Sequence, residues 1–145
     1  MKNILIGIVF VIILGILFTT FMINQNSKAI DENVKELEPE LKIYVTLNLD
    51  EQNIYVENNL EKILKMGASY FDIDAETVMN KINQDENLKN VSIELGRSII
   101  ARMIMSSENL SEILNETNKK ILNEDYDKML DRLHEIFNIL YPSAN

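Results

Sequence analysis

The chain has 145 residues, a formal net charge of −9 at pH 7, no cysteine and one histidine. This length fits one compact domain and excludes an enzyme built from several domains. The lack of cysteine excludes disulfide scaffolds, thiol catalysis and zinc sites made of cysteine. The negative charge repels phosphates and anionic lipid headgroups, so we expect no nucleic acid partner.

The first apolar segment, Ile4–Ile23, contains twenty residues without a charge. A helix of this length spans about 30 Å, which is the thickness of the hydrocarbon core of a bilayer. We therefore predict a membrane anchor over residues 1–23 that contacts the lipid bilayer. A cleaved signal peptide is the alternative, because Lys2 supplies the positively charged N-terminal region that such a peptide has. The apolar segment is longer, however, than the core of such a peptide.

The orientation of this anchor follows from its short N-terminal tail. Lys2 on one side and Lys28 and Lys35 on the other give no clear asymmetry of basic residues. The short tail favours a cytoplasmic N-terminus, with the rest of the chain on the outer side of the cell membrane. Lysine is more frequent than arginine, and Asn and Ile are abundant. This composition is typical of an AT-rich bacterial genome.

Residues 24–40 are predicted to form a juxtamembrane stalk. Apolar residues recur at helical spacing through Val34 and Leu37. Pro39 disfavours helical backbone at the residue before it, so we expect the helix to break there. The spacing is too short to predict a coiled coil, and it leaves homo-oligomerisation as an alternative.

The next segment, residues 41–56, alternates apolar and polar residues from Leu41 to Leu49. A period of two with several β-branched side chains predicts a strand. Residues 50–53 would then turn the chain into a second strand, giving a β-hairpin. The alternative is one helix through the whole segment, because the same apolar positions also fit helical spacing.

Helical spacing dominates the remainder of a mostly helical soluble domain over residues 41–141, which is followed by a tail at 142–145. Gly67 is expected at the end of one helix, and Asp72 or Asp74 at the start of the next. Apolar residues then cover half of the helical wheel over Val91–Ser106, which predicts the central helix of the core.

Two further apolar stripes follow, the first beginning after Ser106 or Ser107. They fall out of phase around residues 123–125, where Asn and Asp favour a turn between two helices. The alternative is one long bent helix. The second stripe contains Tyr126, Met129, Leu130, Leu133, Ile136, Phe137 and Leu140. The predicted fold is therefore mainly α: an N-terminal transmembrane helix, a short stalk, and a small domain of four to five helices with one β-hairpin at residues 41–56.

Two sets of acidic residues resemble metal sites without completing them. The run at residues 72–76 imitates the start of a calcium loop, but Thr77 stands where that loop needs glycine. Asp131 and His134 lie one helical turn apart, a spacing that binds metal only with ligands from other helices. We therefore predict no catalytic residue, no metal and no cofactor.

The candidate partner-binding face lies on the central helix and contains Glu94, Arg97, Ser98 and Arg102. Two of the three arginines of the chain share this face. Arginine binds carboxylates with two parallel hydrogen bonds, so the face would suit an acidic protein segment. The alternative is an intrahelical pair of Glu94 with Arg97 on an ordinary solvated surface.

Two functions are consistent with this pattern. The leading hypothesis is a single-pass membrane-anchored, non-enzymatic protein-interaction module that acts as a tether, scaffold or accessory subunit of an envelope assembly. The alternative is a membrane-tethered sensor or carrier that binds a small hydrophobic ligand between its helices. Flexible methionine side chains would line such a pocket. The candidates are Met66, Met79, Met103, Met105 and Met129.

Overall fold

The computed structural model describes residue 32 and residues 34–68 and 73–142. These residues form eight helices and no strand, so the mainly helical fold is confirmed. The helices are α1 (residues 34–44), α2 (Leu49–Asn58), α3 (Leu60–Gly67), α4 (Ala75–Ile82), α5 (Glu86–Ser106), α6 (Glu108–Glu112), α7 (Glu116–Asp127) and α8 (Met129–Leu140).

The predicted anchor at Ile4–Ile23 lies outside the described residues. Within the described part of the chain, no helix combines the length and the apolar character needed to cross a bilayer. The division into anchor, stalk, domain and tail therefore stays a prediction.

Helix α5 is the central element of the fold, which confirms the prediction made for Val91–Ser106. It contains 21 residues, is about 32 Å long, and contacts α2, α3, α4, α6, α7 and α8. The helix begins earlier than predicted because the side chain of Asp85 accepts a hydrogen bond from the Leu88 amide at 3.0 Å. Leu95 and Ile99 are fully buried in the core around it.

The β-hairpin predicted over residues 41–56 is wrong, because α1 and α2 occupy this segment. Leu41 and Tyr44 continue the helical spacing of Val34 and Leu37, and all four side chains are buried in one core. The alternating residues that predicted a strand therefore include the end of helix α1. Packing of its buried face against the core outweighs the β propensity of the local sequence.

A single continuous helix through residues 41–56 is not formed either, since a turn at residues 45–47 separates α1 from α2. Asn48 and Glu51 start α2 through a capping box. The Asn48 side chain accepts from the Glu51 amide at 3.0 Å, and the Glu51 carboxylate accepts from the Asn48 amide at 2.9 Å. These bonds satisfy two amides that lack partners in the first turn of a helix.

The helix break predicted at Pro39 is also wrong, because helical backbone continues through it. Proline removes the amide that would bond the carbonyl of Lys35, four residues earlier. Both residues are exposed, so that carbonyl is open to water. Val34 and Leu37 belong to the same hydrophobic core as the later helices, so this part of the predicted stalk packs on the domain.

Two glycines set the distance between α5 and its neighbours. Helix α3 ends at Gly67, where a Cβ atom would clash with the side chain of Ile99 on α5. A Cβ atom on Gly96 of α5 would approach the side chain of Val56 on α2 to 2.5 Å. The absence of a side chain at these two positions therefore lets α2 and α3 pack closely on α5.

Helix boundaries in the second half follow capping side chains. Asp74 accepts from the Thr77 amide at 3.1 Å, and Ser107 accepts from the Leu110 amide at 3.3 Å, so both predicted caps are confirmed. The turn predicted at residues 123–125 is wrong, because α7 runs through it. The helices are instead separated at residues 113–115 and at Lys128, whose backbone keeps right-handed helical angles (φ −82°, ψ −1°).

Candidate functional site

The four residues predicted to bind a partner lie along one side of α5, but α7 and α8 pack extensively on this helix. Ser98 is fully buried, and the side chain of Arg97 is 12% exposed. The carboxylate of Glu94 is half exposed. Arg102 is half-buried and also has an interaction within the chain.

A buried ion cluster joins α5 to α7 and α8. Asp125 Oδ1 lies 3.2 Å from Arg97 Nη2 and 3.0 Å from Arg132 Nη1. Asp125 and Arg132 are each 5% exposed. Glu94 Oε2 lies 3.2 Å from Arg132 Nε, so two carboxylates balance the two guanidinium groups. Buried charges of this kind are stable only when they are paired and hydrogen-bonded.

Ser98 completes the hydrogen bonding of this cluster. Its hydroxyl donates to the backbone carbonyl of Asp125 at 2.6 Å and accepts from Arg132 Nη1 at 2.6 Å. Arg97 Nη1 donates to Asn53 Oδ1 of α2 at 2.7 Å. We call Asn53, Glu94, Arg97, Ser98, Asp125 and Arg132 the polar network. It connects four helices through polar contacts.

Tyr44 of α1 is buried close to this network. Burial raises the pKa of its phenol, and the nearby carboxylate of Asp125 raises that pKa further. Within the described part of the chain, the hydroxyl of Tyr44 and the Nε of Arg97 are buried without a hydrogen-bond partner. The ring of Tyr44 packs edge-on against Tyr55, with the ring centroids 5.4 Å apart.

The polar network therefore explains the charged face that the sequence analysis assigned to a partner. Glu94, Arg97 and Ser98 already bond to α2, α7 and α8. Docking of an acidic protein at this face stays a prediction. Access to Arg97 and Ser98 would require opening the contacts that α5 makes with α7 and α8.

A different surface is apolar and exposed. Leu130 is 70% exposed, Phe137 41% and Tyr141 59%, and His134 lies exposed between them. Their positions follow the spacing i, i+4, i+7 and i+11, which places the first three on one side of α8, and Tyr141 follows at its C-cap. We call these four residues the outer stripe of α8. The rings of Phe137 and Tyr141 stack, with centroids 6.2 Å apart.

The outer stripe borders an open groove of about 660 Å³. The groove is lined by Leu130, Leu133, His134, Phe137, Asn138 and Tyr141. None of these side chains is acidic, and none is a lysine or an arginine. The surface is therefore a contiguous apolar patch on an otherwise acidic protein.

A smaller cavity of about 140 Å³ lies beside the groove, on the inner side of α8. It shares three lining residues with the groove and is otherwise lined by side chains of the core, with one carboxylate. The lining residues are Ile73, Asp74, Leu133, Ile136, Phe137, Leu140 and Tyr141. Its volume is close to that of an engineered apolar cavity that binds benzene.

The methionines proposed to line a ligand pocket do not line this groove or this cavity. Met103 and Met129 are buried in the core, Met66 and Met79 pack against it, and Met105 is 39% exposed. In the described residues, no group of three or more histidine, aspartate or glutamate side chains is arranged to hold a metal ion. Asp131, His134 and Glu135 are all exposed.

Asp125, Arg132 and Asn53 could not be predicted from the sequence as members of the polar network. They lie 28 to 44 residues from Arg97 or Glu94 along the chain, so no local spacing connects them. The outer stripe had a local signal, because its i, i+4, i+7, i+11 spacing is visible in the sequence. The predicted apolar stripe of this helix combined these exposed residues with the buried ones.

Comparison with known proteins identifies no relative: no protein-family model, no curated protein and no solved structure matches this chain. The functional conclusion therefore depends on the surfaces described above.

Proposed function

We propose that this chain is a non-enzymatic protein-interaction module, anchored in a membrane by Ile4–Ile23, that docks another protein through the outer stripe of α8. The observation that carries this proposal is the exposure of Leu130, Phe137 and Tyr141 along one helix face, beside a groove of about 660 Å³. Contiguous apolar patches on small proteins are characteristic of binding surfaces. A tether, a scaffold or an accessory subunit of an envelope assembly would use such a surface.

The chemistry of the groove favours a protein partner. Its walls carry aromatic and aliphatic side chains with His134 and Asn138 at the edges. Protein interfaces combine an apolar, aromatic-rich centre with a polar rim in this way. The net charge of −9 disfavours nucleic acid and anionic lipid surfaces as alternatives.

The membrane part of the proposal places the N-terminus in the cytoplasm and the helical domain on the outer side. The chain lacks cysteine, so an Asn123→Cys substitution introduces one thiol at an exposed position of α7. We expect a membrane-impermeant maleimide to label this variant in intact cells. Labelling only after permeabilisation would overturn the orientation, and recovery of the chain in the soluble fraction would overturn the anchor.

The docking part is tested by chemical crosslinking of the full chain in its native membrane. We expect Phe137→Ser to reduce the crosslinked product strongly, because it removes an aromatic side chain from the centre of the outer stripe. Ile113→Ser is the matched control, since Ile113 is an exposed apolar residue between α6 and α7. Equal loss of product in both variants, or no product from the unaltered chain, would contradict docking through the outer stripe.

Binding of a small apolar molecule is the second candidate function, and the cavity of about 140 Å³ beside α8 favours it. This volume suits a molecule about as large as benzene and excludes a whole lipid. Native mass spectrometry of the full chain released from detergent tests this function. A retained ligand mass that disappears in an Ile136→Phe variant, which fills the cavity, would support it; an unchanged mass would contradict it.

A further inference from the structure

We propose that the partner of the outer stripe is a second copy of this chain, paired through two antiparallel α8 helices. This inference rests on the proposed function, because it names the occupant of the same surface.

The outer stripe is complementary to itself when one α8 is reversed against another. A two-fold axis midway between Glu135 and Ile136 places Leu130 opposite Tyr141 of the second copy. The same axis places His134 opposite Phe137 of the second copy. Every member of the stripe then meets another member, and each contact occurs twice, as in an interface with two-fold symmetry. The spacing of four, three and four residues is that of a helix–helix seam.

The charges near the outer stripe permit this pairing. At about 100° per residue, Asp131 and Glu135 point roughly 90° and 130° away from the centre of the stripe. The groove itself is lined by no acidic side chain. Asp74 lines the adjoining cavity together with Phe137 and Tyr141, so one carboxylate lies at the edge of the pairing surface. Two chains with a charge of −9 therefore meet through a stripe that contains no charged side chain of its own apart from its histidine when protonated. Added salt should strengthen the pairing, because it screens the remaining repulsion.

The area of the stripe predicts a weak dimer. Large apolar side chains bury about 150–250 Å² each, so covering Leu130, Phe137 and Tyr141 at their present exposures removes roughly 300–400 Å² per copy. For two copies this is roughly 600–800 Å², to which His134 and Asn138 add, so the interface falls below the roughly 1,200 Å² of stable complexes and within the range of weak, transient ones. Such a dimer is favoured when an anchor holds both copies in one membrane, since tethering raises their effective concentration.

Site-specific photocrosslinking in the native membrane identifies the occupant. A photoreactive phenylalanine derivative replaces His134 in the full chain, and the same derivative replaces Thr117, an exposed residue of α7, as the control. We expect a product with twice the mass of the chain from the His134 position, several-fold more abundant than from the Thr117 position. A product with the mass of this chain plus a different protein would overturn the second copy as occupant while preserving the proposed function. No product above the control would overturn both.

Disulfide trapping determines the direction of the pairing. Two differently tagged chains, one with His134→Cys and one with Phe137→Cys, are produced in the same membrane and oxidised mildly. The antiparallel arrangement predicts that the mixed pair forms the disulfide faster than either chain forms it with itself. Faster self-pairing of the His134→Cys chain would indicate parallel helices and would overturn the proposed two-fold arrangement.

Discussion

The inner and outer faces of α8 each contain a side chain that departs from the usual burial of apolar residues and exposure of charged ones. On the inner face Arg132 is 5% exposed, and on the outer face Leu130 is 70% exposed. The buried arginine is tolerated because Asp125, Glu94 and Ser98 satisfy its charge and its donors. Among the described residues, no comparable set of contacts accounts for the exposed leucine. Burial in this protein therefore depends on the partners that surround a side chain, as well as on its polarity.

The largest effect is expected on the inner face. Asp125→Ala leaves Arg97 and Arg132 buried without their shared carboxylate, and we expect the free energy of unfolding to fall by about 3–5 kcal/mol. Urea denaturation of the full chain in detergent, followed by helical circular dichroism, measures this change. Asp127→Ala, at an exposed position two residues later, should change it by less than about 0.5 kcal/mol. Equal values for the two variants would show that the ion cluster does not stabilise the fold.

Substitutions at two leucines of α8 allow its inner and outer faces to be compared directly. Leu133 is 7% exposed, and we expect Leu133→Ala to lower the free energy of unfolding by about 2–5 kcal/mol. Leu130→Ala should leave the free energy of unfolding of the monomer within about 0.5 kcal/mol, because that side chain is already in water. The same denaturation experiment, carried out at a dilution where the chain is monomeric, measures both. A large loss for Leu130→Ala under these conditions would place its side chain inside the fold.

Unfolding at alkaline pH tests the contribution of Tyr44, the buried tyrosine beside the polar network. The pKa of Tyr44 is raised in the folded chain, so its contribution to stability is complete below the ordinary pKa of about 10 and declines as the pH rises above it. Each pH unit above about 10 should lower the free energy of unfolding by about 1.4 kcal/mol for this group. Tyr44→Phe should make that decline less steep, although Tyr55, whose pKa is also raised, still contributes. An identical pH profile for Tyr44→Phe and the unaltered chain would contradict the assignment.

A smaller loss than at Asp125 or Leu133 is expected at the serine of the polar network. Ser98→Ala removes one donor to the Asp125 carbonyl and one acceptor for Arg132, which retains other partners. We expect a loss of about 1 kcal/mol in the free energy of unfolding. Ser106→Ala provides the comparison, because its hydroxyl bonds a carbonyl at an exposed position. A larger loss at Ser106 than at Ser98 would indicate that burial of the network adds no stability.

Much of the second half of the domain could be predicted from local sequence. The wide apolar face of α5 predicted the central helix, and the caps at Asp74 and Ser107 are formed as expected. These features depend on neighbours within about one turn of the same helix, which is the range that sequence spacing describes. The predictions failed at residues 41–49, where a strand pattern and a helix pattern coincide. The capping box of Asn48 and Glu51 was a local signal for the helix.

The candidate sites were predicted only in part, for a physical reason. The grouping of Glu94, Arg97 and Ser98 on one face of α5 is correct, but their partners Asp125 and Arg132 come from later helices. Pairing with those partners buries Arg97 and Ser98 against α7 and α8, while Glu94 stays half exposed. Docking of a partner at this face stays a prediction. Charge and spacing alone give no information about which helix covers a face.

The sequence by itself determined that most of this chain is helical, that it is acidic, and that its core is built around α5. Periodicity and composition suffice for these properties because each results from residues close together in the chain. The tertiary structure alone decided that an arginine of α8 is buried and that a leucine beside it is exposed. Both side chains lie on the same helix, and only the packing of α5 and α7 against one of its faces distinguishes them.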